Sequence, residues 1–130
     1  MRLDVFVTYA KRYPDVIKQD LVFLANASNI LDIYFFDEDD YVVDITGASL
    51  IFIVKSKPTD SDATAVINKV ITDFTYPQNG NTLLEILKSE CINLLGNYVY
   101  ELRISLADSG YDYILKNGNL CFQRSIYGES

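Results

Sequence analysis

The chain has no histidine and no tryptophan, and only two cysteines, three prolines and one methionine. Without histidine, Ser-His-Asp and Cys-His nucleophilic arrangements are impossible, and so is the side chain that most often holds a metal or shuttles a proton near neutral pH. Cys91 and Cys121 form no Cys-x-x-Cys spacing, and with no export signal beside them they read as buried free thiols. Basic residues are scarce as well. Lys and Arg total 11 against 18 Asp and Glu, a formal charge of −7, and the close basic neighbours are Lys11 with Arg12 and Lys55 with Lys57. Such a balance repels a phosphate backbone or an anionic lipid surface, so neither nucleic acid nor membrane is an expected partner. No run is apolar for long enough to span a bilayer. Asp4 and Lys11 interrupt the N-terminal segment, which therefore lacks the pattern of a secretory signal. A Gly-x-x-x-x-Gly-Lys phosphate loop is missing too, and no cofactor or small-molecule ligand is expected.

What is present suits strands. Ten Tyr and seven Phe accompany a chain that is 49% hydrophobic and 22% charged, and aromatic and β-branched residues favour pleated sheets. At 130 residues, one domain over positions 1–130 can bury a core without a metal or disulfide. The clearest segment is Leu94 to Leu106. After Gly96-Asn97, Tyr98, Tyr100, Leu102, Ile104 and Leu106 fall on one face of a strand, and Val99, Glu101, Arg103 and Ser105 fall on the other.

Further strands are expected at Leu3 to Thr8, Val16 to Ala25, Ile30 to Phe36, Tyr41 to Ile45, Ala48 to Lys55, Val66 to Thr72, Phe74 to Tyr76, Thr82 to Leu87, Tyr111 to Leu115 and Leu120 to Ile126. Turns are expected at Tyr13-Pro14-Asp15, Asn26 to Asn29, Asp37 to Asp40, Pro77 to Asn81, Asp108-Ser109-Gly110 and Asn117-Gly118. Lys57 to Asp62 reads as a polar loop, and Lys88 to Leu94 as a single helical turn capped by Ser89. Short strands at intervals of roughly ten residues, with no amphipathic helix long enough to cross between parallel strands, predict an all-β antiparallel sandwich of seven to nine strands.

Candidate sites are few. Asp37-Glu38-Asp39-Asp40 supplies carboxylates, but neighbours on one turn point apart, whereas a glycosidase needs two that face each other across a cleft. The corner also lacks the glycine and glutamate of a helical calcium loop, because Val42 and Ala48 stand at those positions. It reads as a solvated hairpin turn. No other group of residues suggests catalysis, and the chain is expected not to be an enzyme. Tyr41, Tyr76, Tyr111 and Tyr113 lie in or near turns, where amphipathic rings serve either packing or binding. In Ala48 to Lys55, one phase holds Ala48, Leu50, Phe52 and Val54 and faces the core. Ile51 and Ile53 stand in the other, and two apolar residues there imply a cover, supplied by this chain's own N-terminal strand or by another subunit. Ile51, Ile53, Tyr41, Tyr111 and Tyr113 are thus the candidate interface residues.

The order of these signals resembles a family. An acidic turn is followed by Asp44-Ile45-Thr46-Gly47-Ala48-Ser49-Leu50-Ile51-Phe52-Ile53-Val54-Lys55 and a polar loop. Then come Leu95-Gly96-Asn97-Tyr98-Val99-Tyr100-Glu101-Leu102, an Asp-Ser-Gly turn and Asn117-Gly118-Asn119-Leu120. This is similar to the immunoglobulin-like N-terminal domains of bacteriophage baseplate upper proteins and related tail or fibre proteins. It covers residues 30 to 126; residues 1–29, read as N-terminal strands or an arm, have no clear counterpart, and Leu95 stands where that family commonly has proline. The resemblance implies a non-enzymatic virion structural protein of the baseplate, tail, neck or head-fibre and decoration apparatus. It also implies no cofactor, docking to other phage subunits or to copies of itself, and assembly in the host cytoplasm. The competing expectation is a carbohydrate-binding sandwich that uses the turn-proximal tyrosines.

Overall fold

Residues that alternate in the sequence alternate in space. In strand β1 (Arg2–Val7), Leu3, Val5 and Val7 are buried while Arg2, Asp4 and Phe6 turn outward, the two-residue period of a pleated strand. The same period organises β3 (Leu21–Ala25), β4 (Asn29–Asp37), β5 (Ser49–Lys55), β7 (Asn81–Ile86) and β8 (Gly96–Leu106), and β2 (Ile17–Lys18), β6 (Ile67–Ile71) and β9 (Tyr111–Arg124) complete an all-β sandwich. This computed structural model describes residues 1–7, 17–106 and 111–124, with the backbone alone at 17 and 111–113. The expected turns at Tyr13-Pro14-Asp15 and Asp108-Ser109-Gly110 fall outside these residues, as does Ile126.

Two sheets face each other. The small sheet has the order β1-β4-β7, and the large one runs β9-β8-β5-β6, with β2 and β3 both pairing the outer side of β9. Leu31, Ile33 and Phe35 of β4 point into the space between the sheets, opposite Leu50, Phe52 and Val54 of β5 and Tyr100, Leu102 and Ile104 of β8. Aromatic rings fill the middle. Phe23 meets Phe52 at 6.1 Å and stands edge-on to Phe122 at 5.7 Å, and Tyr98 stands edge-on to Phe122 at 5.4 Å, the offset and T-shaped geometries that ring quadrupoles favour. Tyr98 and Tyr100 are therefore part of the core.

Pairing among the later strands is antiparallel, but β1 joins β4, and β2 and β3 join β9, in parallel. A parallel partner needs a crossover, and among the described residues no helix supplies it. Instead the chain changes sheets: between β1 and β4 it visits the large sheet as β2 and β3.

Three expectations need correction. Asn117-Gly118 is not a turn, because β9 runs straight through it, with Asn117 opposite Glu101 and Gly118 opposite Tyr100. Glycine is required there by close approach: a Cβ on Gly118 would lie 2.2 Å from the carbonyl oxygen of Gln19. The irregularity of this hairpin sits nearby as a bulge, where Leu102 pairs with Lys116 but Arg103 pairs with Ile114, leaving Leu115 extra. Second, 41–45 and 74–76 are not strands and contribute single bridges, Phe36 with Val42 and Tyr76 with Asn81. The two loops share the end of β4, since Phe35 donates its N–H to Gly80 O and accepts from Val43 N. They meet so closely that a Cβ on Gly80 would come within 2.6 Å of Val43 O. Third, the described residues hold three single 3₁₀ turns, at Asp62–Thr64, Pro77–Asn79 and Lys88–Glu90. In the last of these the Glu90 carboxylate, rather than Ser89, accepts the Leu87 N–H at 2.9 Å.

Candidate functional site

Around Ile53 the outer face of the large sheet is covered by the chain itself, whereas Val22 and Leu24 of β3 and Val70 of β6 stay exposed on that face. Ile53 stands in the outward phase of β5 between Asn68 and Glu101, and Ile51 stands between Val70 and Arg103. Asp62, carried in by the loop after β5, takes Lys55 Nζ at 2.8 Å and Arg103 Nη1 at 2.9 Å. Lys55 lies on one side of Ile53 along β5, and Arg103 lies opposite Ile51, so a carboxylate that reaches both sits over Ile53. Arg103 also binds Glu101 at 2.7 Å, which makes a chain of four alternating charges. The Asp62 carboxyl is held well below the usual carboxylate range, first by the Arg103 hydrogen bonds and then by Lys55, and the Arg103 guanidinium is raised chiefly by Asp62. Ile53 is left 2% exposed. It offers nothing to a partner, and its cover is this chain's own loop after β5 rather than the N-terminal strand or second subunit expected from the sequence. Ile51, beyond the loop, is half-buried.

The outer face of the small sheet has no such cover among the described residues. Register places Arg2 beside Asp32 and Asp32 beside Leu83, then Asp4 beside Tyr34 and Tyr34 beside Asn81, then Phe6 beside Phe36. The bridge of Phe36 to Val42 extends the last row. A polar belt runs across the middle. The Arg2 guanidinium lies 4.1 Å from the Tyr34 ring centroid, Tyr34 Oη donates to Asp32 at 3.1 Å, and Asn81 Nδ2 donates to the other Asp32 oxygen at 2.9 Å. The Asp32 hydrogen bond is the main cause that raises the Tyr34 phenol. Apolar residues flank this belt. Ile30, half exposed at 50%, and Leu83 lie at one end, and Phe6, Phe36 and Val42 at the other, with the Phe6 and Phe36 rings 6.0 Å apart. Sequence reasoning passed over Phe6, Ile30, Val42 and Leu83, because each sits in the polar phase of a strand or in a turn. The signal was an apolar residue in that phase of neighbouring strands, as with Ile51 and Ile53.

The other candidates are scattered. Tyr41, 72% exposed, caps the acidic corner beside Val42. Tyr76 is exposed at the head of the turn before β7. Tyr111 and Tyr113 belong to β9, opposite Leu106 and Ile104, and their side chains lie outside the described residues. At the corner, Asp37 Oδ1 accepts the N–H groups of Asp39 and Tyr41 at 2.9 and 3.0 Å, and Asp40 takes the left-handed conformation at φ +64°. Asp37 is thus spent on building the turn. Among the described residues no group of three or more carboxylate or thiol side chains converges as metal ligands would. Cys91 is buried, which raises its thiol, and Cys121 is partly buried; both are free. Lys116 points into the core and is buried, with its ammonium on Gln19 Oε1, and burial lowers its pKa.

No protein-family profile and no curated protein matches the sequence. Among solved structures, the chain is similar to the N-terminal domain of phage TP901-1 ORF48, with a TM-score of 0.51 and 8% identity over 95% of this chain and 98% of that domain. At that identity the likeness concerns the fold. A second structure, the blue copper protein auracyanin A of Chloroflexus aurantiacus, aligns with a TM-score of 0.41 and 12% identity over 95% of this chain and 98% of that one.

Proposed function

We propose that this protein is a non-enzymatic structural component of a bacteriophage virion that docks against another subunit of the particle through the outer face of its small sheet. The observation that carries the reading is a hydrogen-bonded polar belt flanked by exposed apolar residues on the outer face of the small sheet. The large sheet spends a loop and a four-charge network on covering Ile53, whereas Phe6, Ile30, Val42 and Leu83 stay open around the Arg2, Asp4 and Asp32 belt. Exposed apolar residues around a polar network are what a docking patch carries, with the apolar groups supplying burial and the charges setting register. Support also comes from the backbone, which follows that of a phage protein domain along nearly its full length. Residence in the virion, after assembly in the host cytoplasm, belongs to the same reading.

The partner sought is one with a basic rim, because a net charge of −7 opposes self-association and favours a positive surface. The test is mass spectrometry of purified particles from a phage that encodes this chain, combined with light scattering of the isolated protein. A stoichiometric amount of the chain in the particle supports the proposal. Its absence from purified particles, in cells that express it at normal levels, would end the virion reading.

A further inference from the structure

The two sheets have four edges, and the chain guards three of them. At β3 the Asn29 side chain closes the outward backbone of Leu24 as a paired strand would: Oδ1 accepts Leu24 N at 2.9 Å and Nδ2 donates to Leu24 O at 3.0 Å. The break between β2 and β3 at residues 19 and 20 ends the template on the other side, which leaves Val22 alone. At β6, Lys69 stands beside the buried Phe52 in the inward phase, with its ammonium on Glu90 at 2.9 Å. An inward-pointing charge on an edge strand opposes the addition of another strand. At β7, Tyr76 exchanges both backbone hydrogen bonds with Asn81, at 3.0 and 3.1 Å, and Thr75 Oγ1 accepts Leu83 N at 3.2 Å.

Among the described residues β1 has none of these guards. It pairs β4 over six residues without a bulge, and it holds no proline and no inward charge, since Leu3, Val5 and Val7 all point into the core. Met1 O accepts Asp32 N at 2.8 Å. The odd-numbered residues of β1 therefore turn their backbone groups to β4, and Arg2, Asp4 and Phe6 turn theirs to the open side. No hydrogen bond from a described residue reaches those backbone groups. The same three residues present their side chains on the docking face, so edge and face form one surface. An open ladder of this kind takes an extended segment by main-chain pairing, and the side chains at alternate positions select it.

A second copy of the chain is a poor occupant. Antiparallel pairing that engages all three residues would set Asp4 directly opposite Asp4, a destabilising place for like charges, between two chains that each carry a charge of −7. The segment that fits carries a cation opposite Asp4 and an aromatic or β-branched side chain opposite Phe6. Its other phase is apolar and continues the row of Leu3, Val5 and Val7.

We propose that the free edge of β1 receives an antiparallel strand from the partner subunit, with a lysine or arginine of that strand opposite Asp4. This rests on the reading of the small sheet as the docking side and states how the partner is held. Particle composition tests the virion reading, whereas the edge is tested on the isolated full chain, so the two can fail separately. The experiment is an amide NMR titration with the capped peptide Thr-Tyr-Val-Lys-Val-Glu-Thr, which sets tyrosine opposite Phe6 and lysine opposite Asp4. The expected result is saturable shifts and slowed amide exchange at Asp4 and Phe6, with Leu3 and Val5 already slow in the free chain. The same peptide N-methylated at its lysine should bind about tenfold more weakly or worse, because the hydrogen bond to Asp4 O is lost. Glutamate in place of that lysine should weaken binding about threefold. The proposal is overturned if the peptide leaves the β1 amides unmoved or shifts those of Val22, Val70 or Glu85 instead, or if either altered peptide binds as the first does. Shifts at Asp4 and Phe6 on concentrating the chain alone would give the edge to a second copy and overturn it equally.

Discussion

Ile30 and Ile53 are the same residue in the same strand phase on opposite sheets, and the chain treats them differently. Both point away from the core, yet Ile53 is 2% exposed and Ile30 is 50% exposed. The difference is made by a loop. Residues between β5 and β6 return over the large sheet, and Asp62 ties them down through Lys55 and Arg103; no described segment does the same for the small sheet. An outward apolar residue is thus ambiguous by itself, and what decides its role is whether the chain invests residues in covering it. By that criterion Ile53 is closed to a partner and Ile30 is open; Val22, Leu24 and Val70 of the large sheet are open as well, and what sets the small sheet apart is the belt of Arg2, Tyr34, Asp32 and Asn81 between its exposed apolar residues.

The contrast can be attacked at several points. The largest effect is expected at the edge of the large sheet. Gly118→Ala places a methyl where the Gln19 carbonyl sits and should cost about 3 kcal/mol in chemical denaturation, with faster amide exchange first in β3. Ile53→Ala empties a covered site and should cost roughly 2 kcal/mol or somewhat more, the lower part of the range for large-to-small changes at buried positions. Ile30→Ala, its counterpart on the open face, should fall within about 0.5 kcal/mol of the parent. Equal losses at the two isoleucines would remove the distinction between the faces.

A smaller effect belongs to the clamp. Because the Asp62 carboxyl is lowered in the folded chain, its contribution is complete above the unfolded value of about 3.9 and is lost as pH falls through the depressed folded value. The loop should therefore stay closed at mildly acidic pH and loosen only under strong acid. Asp62→Asn should give faster amide exchange over residues 57–65 already at neutral pH. Exchange that is unchanged in this variant would mean that the loop is held by something other than its charges.

Much of the fold was legible because the strands follow a period of two. Leu50, Phe52 and Val54, and Tyr100, Leu102 and Ile104, could be assigned to the core from spacing alone. Asn117-Gly118 misled because its dipeptide is the strongest short hairpin signal, while the reason for that glycine, the Gln19 carbonyl pressing on it, comes from the link between β2 and β3, almost a hundred positions away. Parallel addition of β1 and of β2 and β3 was unreadable for a related cause. The crossover it needs is a change of sheet, which leaves no helical pattern in the sequence. Of the candidate interface, Ile53 was read as needing a cover from the N-terminal strand or another subunit; the cover it has depends on Asp62 meeting Arg103 across 41 residues. Phe6 and Ile30 were hidden among the polar residues of their strands, and only the register of β1, β4 and β7 brings them to one face.

The most direct test of the central claim is incorporation into particles of two charge variants, each first verified as folded. Ile30→Lys with Leu83→Lys alters the open face, and Ile51→Lys alters the large sheet beside its covering loop. The account predicts that the first protein is missing from purified virions while the second is retained at parent levels. Retention of the first, or loss of the second alone, would contradict it.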